Sequence, residues 1–380
     1  MGKAVSTDPM YRYLLVLTVA SAIGLQGWRT LFNNFAVEIA GLNGSQVGII
    51  QSVREIPGFL ALLVVYVLLM MREHRLSAIS ILCLGVGVGI TGLMPTMGGI
   101  VVTTLIMSFG FHYYETTNQS LTLQYFDQAT APIVFGRQRS CAAATNIGLG
   151  LAIYGMAFLL PYAVMYLLMG VVLCGLGFWG FAQDPIRTNL PVQRKRMVLR
   201  KQYGLFYLLT FLSGARRQIF MAFAVFLMVA RFEFSVQEIT LLFVVNNGVN
   251  YYLSPLIGKA IVKFGERRVL SLEYASMILI FLAYAAVQTK WMVAALYILD
   301  HIFFNFAIAI RTYFQKVSDP RDIAPSMAVG FTINHIAAVV LPVVGGVLWM
   351  VDYRIPFVGC ALLAFLSLLA VQCIRLPKKA

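Results

Sequence analysis

Twelve apolar runs follow one another along this 380-residue chain, most of them at or above the roughly 20 residues that an α-helix needs to cross a hydrocarbon core. They lie at about 12–39, 45–71, 76–94, 98–128, 137–160 and 161–183, then 203–230, 236–263, 269–288, 291–317, 323–350 and 355–375. In lipid no water is available to the peptide groups, so a spanning segment must close its own hydrogen bonds. Runs this long and this continuously apolar do so as helices, and the longer ones should tilt or project beyond the bilayer. The expected fold is an all-α membrane protein of twelve transmembrane helices.

Composition agrees: 60% of residues are hydrophobic and 12% charged, against about 25% charged in soluble proteins. The formal net charge of +14 would point to nucleic acid in a soluble chain. Here the basic residues sit in short segments between apolar runs, where they set orientation and meet anionic lipid headgroups. No nucleic-acid partner is expected. Arg72, Arg75, Arg137, Arg139, the central gap, Lys263, Arg267, Arg268, Lys378 and Lys379 all fall on one side. The opposite loops hold little beyond Arg231, Lys290 and Arg354. Both termini are therefore expected in the cytoplasm, with the chain in a bacterial inner membrane. MGKAVSTDPMYRY lacks a small-residue cleavage site before Tyr13, so the first run should be retained. The five cysteines lie in apolar stretches without CxxC spacing and read as small core residues.

The gap QDPIRTNLPVQRKRMVLRKQYG, with two prolines and the densest basic cluster, divides the chain into a six-helix half at 1–183, a linker at 184–202 and a second half at 203–380. The halves repeat weakly. GWRTLFNNFAVE (27–38) aligns with ARRQIFMAFAVF (215–226), placing Arg29 opposite Arg217. MREHRLSAIS (71–80) aligns with FGERRVLSLEY (264–274), and an offset of 190 sets Glu115 against Asn305 and Thr145 against His335. Two six-span halves with internal symmetry are a secondary-transporter pattern, with the site near the midplane.

GKAIVKFGERR (258–268) resembles a cytoplasmic loop motif of the major facilitator superfamily, G-x-x-x-D-x-x-G-R-R. Gly258, Gly265, Arg267 and Arg268 match in type, while the aspartate position is not acidic and the first-half loop, VYVLLMMREHR, lacks the glycines. The resemblance implies a major facilitator fold, with those four residues in gating.

Charge and polarity inside the spans are costly, roughly +2.5 to +3.5 kcal/mol per ionisable side chain at a helix centre on translocon scales. They therefore mark candidate sites. The fourth run carries His112, Glu115, Asn118 and Gln119, with 112, 115 and 119 on one helical face. The first carries Gln26, Arg29 and Asn33 at the same spacing, although Arg29 could instead snorkel or pair with Glu38. The seventh carries Arg216 and Arg217, about 100° apart on a helix, of which Arg217 mirrors Arg29. An arginine from each half makes a clamp for a carboxylate or phosphate. The placement is similar to that in the anion:cation symporters and organophosphate antiporters of the superfamily, which implies substrate binding by the arginines and proton coupling by Glu115. Burial favours the neutral, proton-carrying form of a carboxyl group; His112 would modulate Glu115, and the alternative is a structural pair with a buried arginine.

The tenth run adds Asp300 as a further proton-coupling group, His301, Asn305 as the counterpart of Glu115, and Arg311. Asn246, Asn247 and Asn250, with Asn334 and His335, supply further polar groups. Arg54 and Glu55 are adjacent in the second run and, pointing apart, should each seek another partner; Arg54, Arg216 and Arg311 rank second as anion ligands. His112, Glu115, Asp300, His301 and His335 would also suit a metal, but the arginines would repel it. The fifth run has Gly148, Gly150 and Gly155 for close packing, without the Gly-Pro pair of the superfamily's drug antiporters.

The sequence thus points to a monomeric secondary transporter of a small, anionic molecule, coupled to protons and surrounded by lipid. No cofactor is called for, and no catalytic triad or phosphate loop marks an enzyme. The alternatives are a proton-driven exporter of amphipathic compounds, a metal-ion transporter, or a receptor that keeps the fold without transport.

Overall fold

A computed structural model describes residues 7–375 apart from 188, 195 and 235; Lys378 and Lys379 lie outside the described residues. Among the described residues the chain is helical throughout, without strands, as the apolar runs require. The rods are α1 (Pro9–Asn34, continued by a π turn at Phe35–Ile39), α2 (Gly44–Phe59, a 3-10 turn at Leu60–Leu63, then Val64–Val67), α3 (Glu73–Thr91), α4 (Met97–Tyr125), α5 (Ala131–Met156) and α6 (Tyr162–Ala182). After the linker come α7 (Gly204–Phe232), α8 (Val236–Phe264), α9 (Glu266–Ala286), α10 (Lys290–Phe304, a 3-10 turn at Asn305–Ala307, then Ile308–Val317), α11 (Ile323–Val351) and α12 (Arg354–Gln372). Eight of them, α1, α2, α3, α6, α7, α9, α10 and α12, are long and apolar enough to cross a membrane. The other four, α4, α5, α8 and α11, have 26 to 29 residues each, and three of them carry many of the polar candidates.

Local chemistry sets the ends. The Asp8 carboxylate caps α1, accepting from the Met10 amide at 2.8 Å with Pro9 in the first turn. Asn43 and Gln46 form a reciprocal capping box on α2, and Thr96 accepts from the Gly99 amide at 3.1 Å to start α4. Gly265 turns the chain from α8 to α9 with φ of 80°, a conformation open to glycine and strained for other residues.

The helices fall into two compact units, one of residues 1–126, 141–198 and 320–332, the other of 127–140, 199–319 and 333–380. In the first unit, glycines let α3 meet its neighbours backbone to backbone. A Cβ on Gly87 would stand 2.4 Å from the Met107 nitrogen of α4, and one on Gly110 would stand 2.4 Å from the Ser80 carbonyl oxygen of α3. Gly89 and Gly170 make the same approach between α3 and α6. Hydroxyls add to the packing: Ser77 and Thr117 lie 2.6 Å apart between α3 and α4, and Thr18 and Tyr114 3.1 Å apart between α1 and α4.

The linker is stapled to the first unit. Arg187 pairs with Asp8 and donates to the Tyr125 carbonyl at 3.3 Å, and Arg194 pairs with the fully buried Asp322. Gln193 donates to the Pro320 carbonyl at 2.8 Å and accepts from the Ala324 amide at 3.0 Å. Two of the linker's basic residues thus hold protein carboxylates, beside any part they play in topology. A cavity of about 710 Å³ opens beside them, bordered by Arg72, His74, Asp184, Arg187 and Arg194.

α2 departs from the continuous helix read from its apolar run. Pro57 lies inside it and the 3-10 turn follows, loosening the backbone ladder. The Thr332 hydroxyl bridges the break, donating to the Phe59 carbonyl at 3.0 Å and accepting from the Leu62 amide at 2.9 Å.

In the second unit the core gathers Phe220, Phe223, Phe281, Tyr284 and Phe357 from α7, α9 and α12, with Tyr284 stacked on Phe357 at 5.1 Å. α5 and α8 approach closely there: a Cβ on Gly136 would meet the Ser254 carbonyl oxygen at 2.4 Å, and one on Gly258 the Pro132 carbonyl oxygen at 2.4 Å.

The glycine contacts give the first testable outcome. Gly110→Leu forces the α3–α4 backbones apart, and overpacking of this kind costs about 1–3 kcal/mol or more. Its melting temperature in detergent should fall clearly below that of the wild type, whereas Gly148→Leu, with nothing within 4 Å of the added Cβ, should leave it unchanged.

Candidate functional site

Each unit presents its own polar groups. In the first unit α4 is the main contributor. His112, Asn118 and Gln119 are buried and Glu115 is half-buried. The Gln119 side-chain amide donates to the Glu115 carboxylate at 3.4 Å, which the shared helical face allows. His112 meets the edge of Phe331 at 5.7 Å between ring centroids. From α2, a Glu55 carboxylate oxygen comes within 4.8 Å of a His112 ring nitrogen. Thr116, Thr117 and Thr122 turn their hydroxyls back onto carbonyls of their own helix, leaving this face to His112, Glu115 and Gln119.

α1 adds Gln26 and Arg29, both half-buried, and the exposed Asn33. Gln26 donates to the Thr30 hydroxyl at 3.3 Å. Glu38, weighed as a partner for Arg29, accepts from Asn34 at 2.8 Å and from the Tyr162 hydroxyl at 2.9 Å.

Arg54 and Glu55 do pair, at 2.8 Å, contrary to the expectation that adjacent residues would part. Their Cβ atoms diverge, but the long arginine stem swings its guanidinium round to the neighbouring carboxylate. The same guanidinium sits 5.8 Å from the Trp28 ring centroid, within cation–π range, and the Ser108 hydroxyl donates to the Arg54 carbonyl.

In the second unit the two arginines of α7 have opposite fates. Arg216 is fully buried, 3.6 Å from the Glu273 carboxylate of α9 and 4.4 Å over the Tyr274 ring. Its Nε donates to the Leu212 carbonyl at 3.4 Å. Arg217, one residue and about 100° on, is exposed. Of the pair, only Arg217 is open to a ligand within its unit. Asp300 of α10 is fully buried and its two carboxylate oxygens have no hydrogen-bond partner. Glu273 was not singled out by the sequence reading. It is a lone carboxylate in the ninth apolar run, and the reasoning applied to Glu115 would have found it.

Asn305 is buried in the 3-10 turn of α10, donating to the Asn250 side chain and to the His301 carbonyl at 2.8 Å. His301 Nδ1 lies 3.0 Å from the Tyr297 carbonyl. Asn247 folds back to the Phe243 carbonyl of its own helix at 2.9 Å. His335 is buried, Asn334 donates to the Thr210 carbonyl at 3.4 Å, and half-buried Arg311 stands 5.6 Å from the Phe135 ring centroid.

The loop motif acquires distinct roles. Gly258 permits the α5–α8 crossing and Gly265 makes the turn. Arg267 donates to the Gln372 side chain at 3.0 and 3.2 Å, and Arg268 is exposed. Between Gly265 and Arg267, fully buried Glu266 pairs with Lys316 of α10 at 2.7 Å.

Residues 206–380 match the family model of the Major Facilitator Superfamily. No curated protein sequence matches the chain. Among solved structures it is similar to the human organic anion transporter MFSD10, with TM-score 0.76 and 10% identity over 96% of this chain and 99% of that one. It is also similar to the E. coli fucose:proton symporter, with TM-score 0.77 and 10% identity over 97% and 98%. A third similar structure is a bacterial homologue of the iron transporter ferroportin in an outward-facing state, with TM-score 0.75 and 11% identity over 95% and 98%. The fold is thus the all-helical one of these structures, and eight helices long and apolar enough to cross a membrane make the protein an integral, multi-pass membrane protein.

The contrast between the two α7 arginines is measurable. Arg216→Ala leaves Glu273 buried without its counter-charge, a loss of about 3–5 kcal/mol in comparable buried pairs. Arg217→Ala, on an exposed position, should stay within about 0.5 kcal/mol. Thermal unfolding in detergent should show a large drop for the first and little change for the second.

Proposed function

We propose that this chain is a secondary active transporter that moves a small organic anion by alternating access, driven by a proton gradient. The halves 1–183 and 203–380 are the rocking bodies, joined by the linker at 184–202, with Gly258, Gly265, Arg267 and Arg268 in the gating loop. Arg29 and Arg217 bind the anion, assisted by Gln26, Asn33, Gln119, Asn247, Asn305 and His335. Glu115 takes up and releases the proton, with His112 one helical turn away.

The observation that carries this reading is the state of the arginines. Arg216 is committed to Glu273 inside the protein, while Arg217 is exposed and Arg29 half-buried. A guanidinium offers a planar donor fork suited to carboxylate or phosphate at every physiological pH. Glu115, half-buried and bonded to Gln119, has the setting of a group that can exchange protons with a water-filled pathway. Two of the similar structures, one an organic anion transporter and the other a fucose:proton symporter, support this substrate class and this coupling ion.

The test begins with a thermal-shift screen of purified protein against carboxylates and organic phosphates at two pH values. A ligand at 100 times its dissociation constant stabilises by about 2.7 kcal/mol, and Arg29→Ala or Arg217→Ala should erase that shift. In proteoliposomes, Glu115→Gln should keep substrate exchange and lose pH-driven accumulation. Unaltered pH-driven uptake in that variant would remove Glu115 from the coupling role, and efflux of hydrophobic dyes without anion uptake would replace the anion reading with the exporter one.

A further inference from the structure

The second unit buries two carboxylates and one guanidinium in its interior. Arg216 on α7, Glu273 on α9 and Asp300 on α10 each have no exposed surface. Glu273 faces Arg216 at 3.6 Å, and both Arg216 and Glu273 act electrostatically on Asp300. With all three ionised the cluster would hold a net negative charge away from water. An uncompensated ion in such a place costs several kcal/mol, and like charges sharing a site do not both persist.

The groups around the cluster supply little relief. Tyr274 and Tyr284 of α9 have buried hydroxyls without hydrogen-bond partners. Tyr297 and His301 lie on α10 with Asp300, and His301 is turned to the Tyr297 carbonyl. Cys360 of α12 points its thiol at the Arg216 carbonyl at 3.9 Å. Arg139 of α5 is half-buried and acts on Glu273 and His301. The second cation therefore bears on Glu273, which leaves Asp300 with Arg216 alone, already engaged by Glu273. A metal cation is disfavoured because the guanidinium occupies the electropositive role beside the carboxylates. The missing positive charge is met by the smallest cation.

We infer that Arg216, Glu273 and Asp300 form a proton-binding site in the second unit, with one exchangeable proton on Asp300 and Glu273 ionised against Arg216. Uptake forms an O–H bond between a proton delivered by water and an Asp300 carboxylate oxygen. Release breaks that bond and restores the carboxylate charge, which then competes with Glu273 for the guanidinium. The site is additional to Glu115. Its place in a transport cycle rests on the proton-coupled reading above, but the bound proton does not.

Infrared spectroscopy of the purified full-length protein at neutral pH separates the two. The carbonyl stretch of a neutral carboxylic acid should be present in the wild type, lost in Asp300→Asn and retained in Glu115→Gln. Glu273→Gln should also remove it, because Asp300 then has the guanidinium to itself and ionises. That second variant distinguishes a shared proton from a carboxyl neutral through burial alone, and it keeps the test open if Asp300→Asn fails to fold. Absence of the band in the wild type, or its persistence in either Asp300→Asn or Glu273→Gln, overturns the proposal. If the band behaves as expected while proteoliposomes show no pH-driven flux, the proton site stands and the transport reading falls.

Discussion

A peptide group in hydrocarbon has no water to bond, and every feature of this chain follows from that constraint. It forces each apolar run into helix and makes each interruption conspicuous. Where the ladder loosens, a side chain takes over: the Thr332 hydroxyl at the α2 break, and Asn305 in the 3-10 turn of α10, where it reaches both Asn250 and the His301 carbonyl. Polar residues in these spans serve first to keep the backbone satisfied. Charged side chains divide in the same way: Arg216 is held inside the protein by Glu273, whereas Arg217 is exposed.

The same low-dielectric interior sets the rules for charge. The protein keeps most of its charged side chains at helix ends or in the linker, where Arg187, Arg194 and Lys316 meet Asp8, Asp322 and Glu266. Deep in the second unit it departs from one-to-one pairing: Arg216 faces Glu273, while Asp300, also fully buried, has no hydrogen-bond partner for either carboxylate oxygen. An unequal cluster is a poor way to gain stability, since buried pairs roughly break even against hydrophobic packing. Its presence is better explained by a charge that comes and goes.

Much of the architecture was legible because hydropathy reads helices at the scale on which they form. Helix limits were less so. The fifth run was read from 137, yet α5 starts at Ala131; its first six residues, APIVFG, are apolar but too few to count as a run before Arg137, Gln138 and Arg139 interrupt them. The breaks in α2 and α10 escaped hydropathy, which does not separate 3-10 from α turns, although Pro57 and Asn305 stand beside them. In the site, the spacing of His112, Glu115 and Gln119 correctly placed Glu115 and Gln119 within reach of each other. Arg54 and Glu55 escaped the spacing rule because a long side chain can reach where its Cβ does not point. The different environments of Arg216 and Arg217 could not be read from either residue alone; they depend on Glu273, fifty-seven positions away and on another helix.

The hydroxyl at the α2 break carries a consequence for how such a chain can change over generations. Thr332 serves a carbonyl and an amide of α2 with one oxygen. Serine could inherit that task; valine, of nearly the same shape, would leave two backbone groups orphaned in a dry setting. A substitution there becomes tolerable once the 3-10 turn at Leu60–Leu63 regularises, and loss of the hydroxyl then has no backbone penalty. The backbone at 59 and 62 and the side chain at 332 thus form a single hydrogen-bonded unit written in two distant parts of the chain.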